Sequence, residues 1–248
     1  MKNSSSENSP WFAAWFDTTY YHLLYQNRDE NEAKYFITNL IKFLKLSNEY
    51  VLDLACGKGR HSKFLQESGL KVLGVDLSPK SIASAQQYSN DQLSFRTHDM
   101  REVIESECFD VVFNLFTSFG YFEDDSENHK VLKSVHHMLN ENGILVIDFM
   151  NCEKVIKNLV LEEKKTIDNI DFFISRGFNG SHIVKVINFS DKGEKYSFSE
   201  KVRAFKLVDF EGLLVSNGFK IINAFGDFSL NNFNALSSDR LILVAQKV

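Results

Sequence analysis

Apolar and polar positions follow one another along this chain in two rhythms, and the change between them divides it. Up to about residue 150, short apolar runs alternate with segments whose apolar residues recur three and four positions apart. This is the pattern of strands buried on both faces and of amphipathic helices. The runs fall at 51–54, 71–76, 93–96, 109–115 and 144–149. Among the helical segments, Phe12, Trp15, Phe16, Tyr20, Leu23 and Leu24 share one face, and Ala33, Phe36, Ile37, Leu40, Ile41 and Leu44 form a second, cleaner stripe. A helix over 60–67 follows the first run directly, and Ser78-Pro79 opens another with a serine cap and a first-turn proline. The spacing predicts a helix over 124–140, with Val131, Leu132, Val135, Met138 and Leu139 inward, stopped by Asn142-Gly143.

From about 160 to 206 the rhythm becomes that of strands. Residues 170–175, 182–189 and 196–205 alternate or run with β-favouring side chains, separated by Asn179-Gly180 and Asp191-Lys192-Gly193. A small antiparallel meander is predicted there. A helix over 208–217 closed by Gly218, then strands at 220–228 and 240–246 forming an antiparallel edge pair, complete the chain. The expected organisation is a tail and helical lid (1–46), a core (47–159), a β insertion walling the substrate (160–206), and the last helix and two strands of the core (207–248).

Composition narrows the functional classes. With 248 residues, 44% of them hydrophobic, the chain can bury one large core, and 23 phenylalanines against two prolines speak against long disordered linkers. A net charge of −5 carries no footprint for nucleic acid. No apolar stretch is long enough to span a membrane, and the polar first ten residues do not read as a signal peptide. Three cysteines without a C-x-x-C pair argue against disulfides and structural zinc and for a reducing cytoplasm. His136 and His137 lack a third ligand, so no metal is expected.

The candidate chemistry is concentrated where the strands end. The first run passes through Asp53 into Leu54-Ala55-Cys56-Gly57-Lys58-Gly59, a strand–loop–helix unit whose glycines permit a sharp bend or close approach of a ligand. Dinucleotide-binding loops read G-x-G-x-x-G, whereas here Ser62 stands where the third glycine would be. Cys56, near a helix start, is either a thiol with a depressed pKa or a small loop residue beside the ligand. Asp76 follows Gly59 by 17 residues, close to the spacing of a carboxylate that accepts ribose hydroxyls, with Leu77 beside it. After the third run, Asp99 in His98-Asp99-Met100 can accept an adenine amino group while Met100 packs on the base. The fourth run leads into Asn114-Leu115-Phe116-Thr117-Ser118-Phe119-Gly120-Tyr121, an aromatic loop at the same edge.

The D-x-A-x-G-x-G pattern from Asp53 to Gly59, followed by Asp76, His98-Asp99-Met100 and the 114–121 loop, resembles the core of class I S-adenosylmethionine (SAM) methyltransferases over residues 51–150. The family usually has glycine where this chain has Ala55. The resemblance implies a Rossmann-like α/β fold, a seven-stranded, mostly parallel sheet with helices on both faces and an antiparallel seventh strand, and SAM as cofactor. It places Asp53, Ala55, Cys56, Gly57, Gly59, Asp76, Leu77, His98, Asp99, Met100, Asn114, Leu115 and Phe116 around that cofactor.

The loop from Leu115 to Tyr121 is also similar to that of aminosugar N,N-dimethyltransferases, with Tyr121 where their catalytic histidine falls. The segment from Tyr20 through Tyr25 to Arg28 looks like the tyrosine-rich lid of those enzymes and of glycine/sarcosine methyltransferases, and would add cofactor contacts. The implied activity is methyl transfer to a small molecule, nitrogen favoured over oxygen. Tyr121 orients the acceptor, and Ser118, Arg176 and Arg203 are substrate-binding candidates. The expected partners are a small-molecule substrate, with neither nucleic acid nor membrane, and a homodimer stays open. The alternatives are an NAD-linked oxidoreductase and a non-catalytic SAM-binding protein.

Overall fold

A computed structural model describes residues 15–25 and 30–248. The chain divides into two compact units, residues 1–28 with 155–204 and residues 29–154 with 205–248.

The larger unit is built on seven strands: β1 (Tyr50–Leu54), β2 (Lys71–Asp76), β3 (Leu93–Thr97), β4 (Phe109–Asn114), β5 (Leu139–Met150), β10 (Phe219–Phe225) and β11 (Arg240–Lys247). Their order across the sheet is β10-β11-β5-β4-β1-β2-β3, and β11 alone runs antiparallel to its two neighbours. The mostly parallel sheet with an antiparallel seventh strand, expected from the resemblance, is therefore the observed one. Packed with it are α2 (Glu30–Leu44), α3 (Arg60–Glu67), α4 (Pro79–Ala85), α5 (Asp125–Met138) and α7 (Leu207–Val215). Parallel strands need such crossovers, and covering them explains why β1 and β4 read as nearly unbroken apolar runs. The core runs from Phe36, Ile37 and Leu40 on α2 through Val51, Val72, Phe95, Val111 and Val146 on the sheet.

Strand order reverses direction between β1 and β4, because β2 and β3 lie to one side of β1 while β4 and β5 lie to the other. Loops leaving two neighbouring strands on opposite courses leave a crevice at the carboxyl edge, where open α/β sheets bind ligands.

One boundary differs from expectation. α5 ends at Met138 and β5 begins at once, at Leu139. Asn142-Gly143 lies inside that strand, at a register shift: Leu139 pairs with Phe109 and Ile144 with Val111. Asn142 takes the left-handed turn at φ 61, and a Cβ on Gly143 would stand 2.8 Å from the carbonyl of Asn140. The pair makes a kink in a strand, where the sequence predicts the end of a helix.

The smaller unit is a four-stranded antiparallel sheet in the order β6-β7-β8-β9: β6 (Glu162–Ile167), β7 (Ile170–Phe178), β8 (His182–Asp191) and β9 (Glu194–Arg203). β6 is an addition to the expected meander. Its Glu-Glu-Lys-Lys-Thr-Ile sequence has no apolar alternation because it is an edge strand, where charge discourages pairing with other chains. Helix α6 (Cys152–Lys157) was likewise not expected. Trp15, Leu24 and the rings of helix α1 (Thr19–Leu24) bury Phe172, Ile174, Ile187 and Phe189 on one face of this sheet. Among the described residues, no helix is long and apolar enough to cross a membrane.

Candidate active site

The glycine loop leaves β1 through three left-handed residues, Ala55 (φ 63), Gly57 (φ 56) and Gly59 (φ 78). Two backbone bonds fix it: Cys56 N–H to Val75 O at 2.9 Å and Gly59 N–H to Cys56 O at 3.0 Å. The two glycines do different work. A Cβ on Gly57 would meet nothing within 4 Å, so that side of the loop is open. A Cβ on Gly59 would stand 2.7 Å from the Phe95 ring and 3.2 Å from Ala85, so that glycine is required by packing as well as by φ.

Ala55 is the departure from the usual glycine. A non-glycine residue in this region costs about 1–2 kcal/mol. Ala55→Gly is therefore expected to stabilise the protein by about 1 kcal/mol, the relief of strain exceeding the extra chain entropy. A thermal or urea melt checks it, and no gain would mean that Ala55 is not strained.

Asp76 fastens the loop from the next strand: its Oδ2 accepts Gly57 N–H at 2.9 Å and its Oδ1 accepts Ser78 N–H at 2.8 Å. Both bonds come from backbone, and a carboxylate has further lone pairs for hydroxyl donors. Leu77, 38% exposed, stands beside it as an uncovered apolar surface.

Asp53 lies deeper than its sequence position suggests. It pairs with Gly74 on one side and Phe113 on the other and is 1% exposed. Its Oδ2 accepts the Ser62 hydroxyl at 2.5 Å, which ties β1 to α3 where dinucleotide loops place a third glycine. Burial, reinforced by the Asp76 charge and opposed by the Ser62 bond, pushes the carboxyl up to about 6. The Cys56 thiol beside it is also pushed well up, by burial first and then by Asp53 and Asp76. Of the two readings of Cys56, this supports the small loop residue over the activated thiol: the site is acidic and dry, and Cys56 stays a neutral thiol.

Asp99 is likewise engaged. Arg101 grips it with Nε at 2.9 Å and Nη2 at 2.5 Å while its Nη1 holds Glu127 on α5 at 2.5 Å. Partial burial alone would raise the Asp99 carboxyl, but the Arg101 bonds and charge win and hold it below the usual range. The three acids thus lie at or just beyond the ends of three adjacent strands with three duties: Asp53 supports a helix, Asp76 staples the loop, and Asp99 is ion-paired. His98 donates its backbone N–H to Asp76 O at 3.0 Å, its ring meets Glu102 O at 2.9 Å, and Met100 is half-buried.

Across the crevice, Asn114 ends β4 at 2% exposure. Its Nδ2 donates to Leu54 O at 3.0 Å, joining the two loops at their roots, while its Oδ1 is buried without a hydrogen-bond partner. Leu115 is buried, and Phe116 (φ 65) and Thr117 (φ 59) then turn left-handed. The Arg60 guanidinium lies 5.3 Å from the Phe116 ring centroid. Ser118 Oγ donates to Leu115 O at 3.0 Å, and Tyr121 is half-buried just beyond left-handed Gly120.

Sequence reasoning missed what holds this loop. Phe116 N–H donates to Asp148 Oδ2 at 3.0 Å, Thr117 N–H to Asp148 O at 2.9 Å, and Arg240 bonds both Asp148 Oδ1 (2.8 Å, from Nε) and Thr117 Oγ1 (3.1 Å, from Nη2). The available signal was a lone acid inside the apolar run 144–149.

Among the described residues, four predicted site residues belong to the smaller unit. The Tyr20 hydroxyl donates to Asp191 at 2.9 Å, and its ring packs on Phe189 and Tyr196. The Tyr25 hydroxyl donates to Glu200 at 2.7 Å and accepts from Lys185; Glu200 also accepts Trp15 Nε1–H at 2.7 Å. Arg176 gives its Nη2 to Glu163 at 2.5 Å. Arg203, half-buried, faces His182 in the strand register. Arg28 lies outside the described residues. No group of three or more metal-ligating side chains occurs among the described residues.

The larger unit fits an adenosyl amino acid. The open side of Gly57 admits close approach, Asp76 suits a diol, Leu77 a base, and the Asn114 Oδ1 a donor. Comparison with known proteins agrees. A model described as a methyltransferase domain matches residues 51–143. The candidate methyltransferase YqeM of Bacillus subtilis (strain 168) is 32% identical over 207 residues, covering 79% of this chain and 83% of that protein. A glycine/sarcosine N-methyltransferase of Aphanothece halophytica is 28% identical over 234 residues, covering 89% and 83%. The sugar N-methyltransferase KedS8 of Streptoalloteichus sp. ATCC 53650 shares the fold at a TM-score of 0.73 with 20% identity, covering 92% of each chain. The chain belongs to the class I SAM-dependent methyltransferase family.

Proposed function

We propose that this enzyme transfers a methyl group from SAM to the nitrogen of a small molecule, with Tyr121 orienting the acceptor. The observation that carries the reading is the junction at the strand-order reversal. There the glycine loop and the 115–121 loop are joined by Asn114, whose buried Oδ1 has no hydrogen-bond partner, and the exposed apolar surface of Leu77 follows the neighbouring strand end. The N-methyltransferase activity named for the Aphanothece relative, of which this chain covers 83%, supports nitrogen over oxygen.

Bound SAM supplies a methyl group already activated by a sulfonium, so the residues around it have to align more than to activate. Alignment alone contributes roughly 7–11 kcal/mol, against about 10²–10⁴-fold for a general base. Asp76 would hold the ribose hydroxyls, Leu77 and Met100 would flank the base, and Asn114 and Phe116 would line the amino-acid end. An attacking amine must be neutral, and the Tyr121 hydroxyl can take a hydrogen bond from its N–H and turn the lone pair toward the methyl group. With an ordinary pKa near ~10, a tyrosine serves better as an orienting partner than as a free base.

Tyr121→Phe tests this. One lost hydrogen bond is worth about 0.5–1.5 kcal/mol. We expect kcat for a responsive amine to fall about tenfold while the dissociation constant for S-adenosylhomocysteine stays within about twofold. Labelled methyl transfer from SAM to glycine, sarcosine and an amino sugar, with matched hydroxy compounds, decides the acceptor class. Transfer only to the hydroxy compounds would overturn the nitrogen assignment, and an unchanged kcat in the variant would remove Tyr121 from the reaction.

A further inference from the structure

We infer that Asp148 and Arg240 are positioning residues for the methyl-transfer loop: together they clamp Phe116 and Thr117 in a left-handed conformation and so set the course of the chain to Tyr121. The inference rests on the site proposed above, but its geometry stands independently. Two consecutive non-glycine residues at φ 65 and φ 59 cost about 1–2 kcal/mol each, and Thr117 is β-branched, which makes it a poor occupant of that region. Such a pair persists only where its surroundings over-determine it. The surroundings here are one carboxylate and one guanidinium. Asp148 is 1% exposed and takes both loop N–H groups, one on its side chain and one on its carbonyl, at 3.0 and 2.9 Å.

A buried carboxylate needs a cationic partner, and the neighbouring antiparallel strand provides it. Arg240 pairs with Met150 while Asp148 pairs with Ile242, so the two side chains are diagonal neighbours across β5 and β11. The Arg240 fork spans Asp148 Oδ1 and Thr117 Oγ1, a bridge that a single ammonium would not reproduce. Its guanidinium also lies 5.7 Å from the Phe228 ring centroid, which fixes it on the far side. The strand that closes the sheet therefore supports the loop that leaves its middle.

Three variants test the clamp: Arg240→Lys, which keeps the charge but not the fork; Thr117→Val, which removes only the hydroxyl; and Asp148→Asn, which keeps the shape. Amide hydrogen exchange of peptides covering 112–122 reads the loop without any acceptor, and S-adenosylhomocysteine titration reads the cofactor site. Labelled methyl transfer to whichever amine of the panel above responds reads the chemistry. The expected result is at least about tenfold faster exchange over 115–121 in Arg240→Lys and Asp148→Asn, with a smaller change in Thr117→Val. Cofactor affinity should stay within about threefold while kcat falls about tenfold. Loop exchange equal to wild type in Arg240→Lys and Asp148→Asn overturns the clamp. Faster exchange with unchanged kcat overturns its role in positioning. Should no amine respond even with the wild-type protein, the nitrogen reading fails, and the clamp is then judged on loop exchange alone. Asp148→Asn alone failing to fold leaves Arg240→Lys and Thr117→Val to decide.

Discussion

Gly59→Ala is expected to destabilise the protein by about 2–5 kcal/mol, the sum of a left-handed alanine (about 1–2) and overpacking against the Phe95 ring (about 1–3). For a chain of this size that lowers the melting temperature by roughly 10 °C. The two contributions can be separated, because the same ring closes over a second glycine. A Cβ on Gly74 would stand 2.5 Å from Phe95 Cδ1, yet Gly74 has no positive φ. Gly74→Ala should therefore show the steric part alone. Adding Phe95→Leu should recover most of the loss in Gly74→Ala and only part of it in Gly59→Ala. Gly57→Ala gives the converse: with nothing within 4 Å of its Cβ, it should cost only the left-handed strain in a melt, while S-adenosylhomocysteine titration shows weakened binding. If Phe95→Leu rescued neither glycine variant, the packing account of the loop would be wrong.

That a phenylalanine on β3 dictates two glycines on other elements also shows which features were legible in the sequence. Strands buried on both faces announce themselves as apolar runs, and the glycine loop and Asp76 lie close together in the chain, so β1 to β5 and the site's edge followed from local pattern. What was not legible depends on pairs far apart. Asp148 and Arg240 are 92 residues apart, and Tyr25 and Glu200 are 175 apart. The partners of polar side chains in a segment resembling a lid lie too far along the chain to be read from local pattern. Tyr20, Tyr25 and Arg176 have hydrogen-bond partners within the four-stranded sheet. A charged edge strand such as β6 has no apolar period to detect. Asn142-Gly143 has the composition of a helix stop, and only the register against β4 reveals it as a kink.

Asp53→Asn is expected to make the apo protein more stable at neutral pH while weakening its hold on cofactor. The Asp53 carboxyl is raised by burial to about 6, whereas in the unfolded chain it titrates near ~3.9. The folded state therefore binds more protons between those values. The contribution of Asp53 is fully present below pH ~4 and is lost as pH rises through about 6. Roughly two units correspond to about 2–3 kcal/mol, spent at pH 7 on keeping a charge in a dry site beside Asp76. Asparagine can still accept the Ser62 hydroxyl and carries no charge, so at pH 7–8 the variant should be the more stable by about 2 kcal/mol. The two proteins should converge toward pH 4. Asp99, Glu107 and Glu163, all held below their usual range by basic partners, make both proteins less stable in acid. For that reason the difference between the two melting curves, rather than either curve, isolates Asp53. The cofactor brings a sulfonium and an ammonium, so the ionised carboxylate that destabilises the empty site favours the cationic ligand. S-adenosylmethionine affinity should fall in the variant more than that of the uncharged-sulfur product, S-adenosylhomocysteine. A stability difference that did not change between pH 4 and pH 8 would mean that Asp53 ionises as an ordinary carboxylate, and the account of a site strained by its own charge would fall.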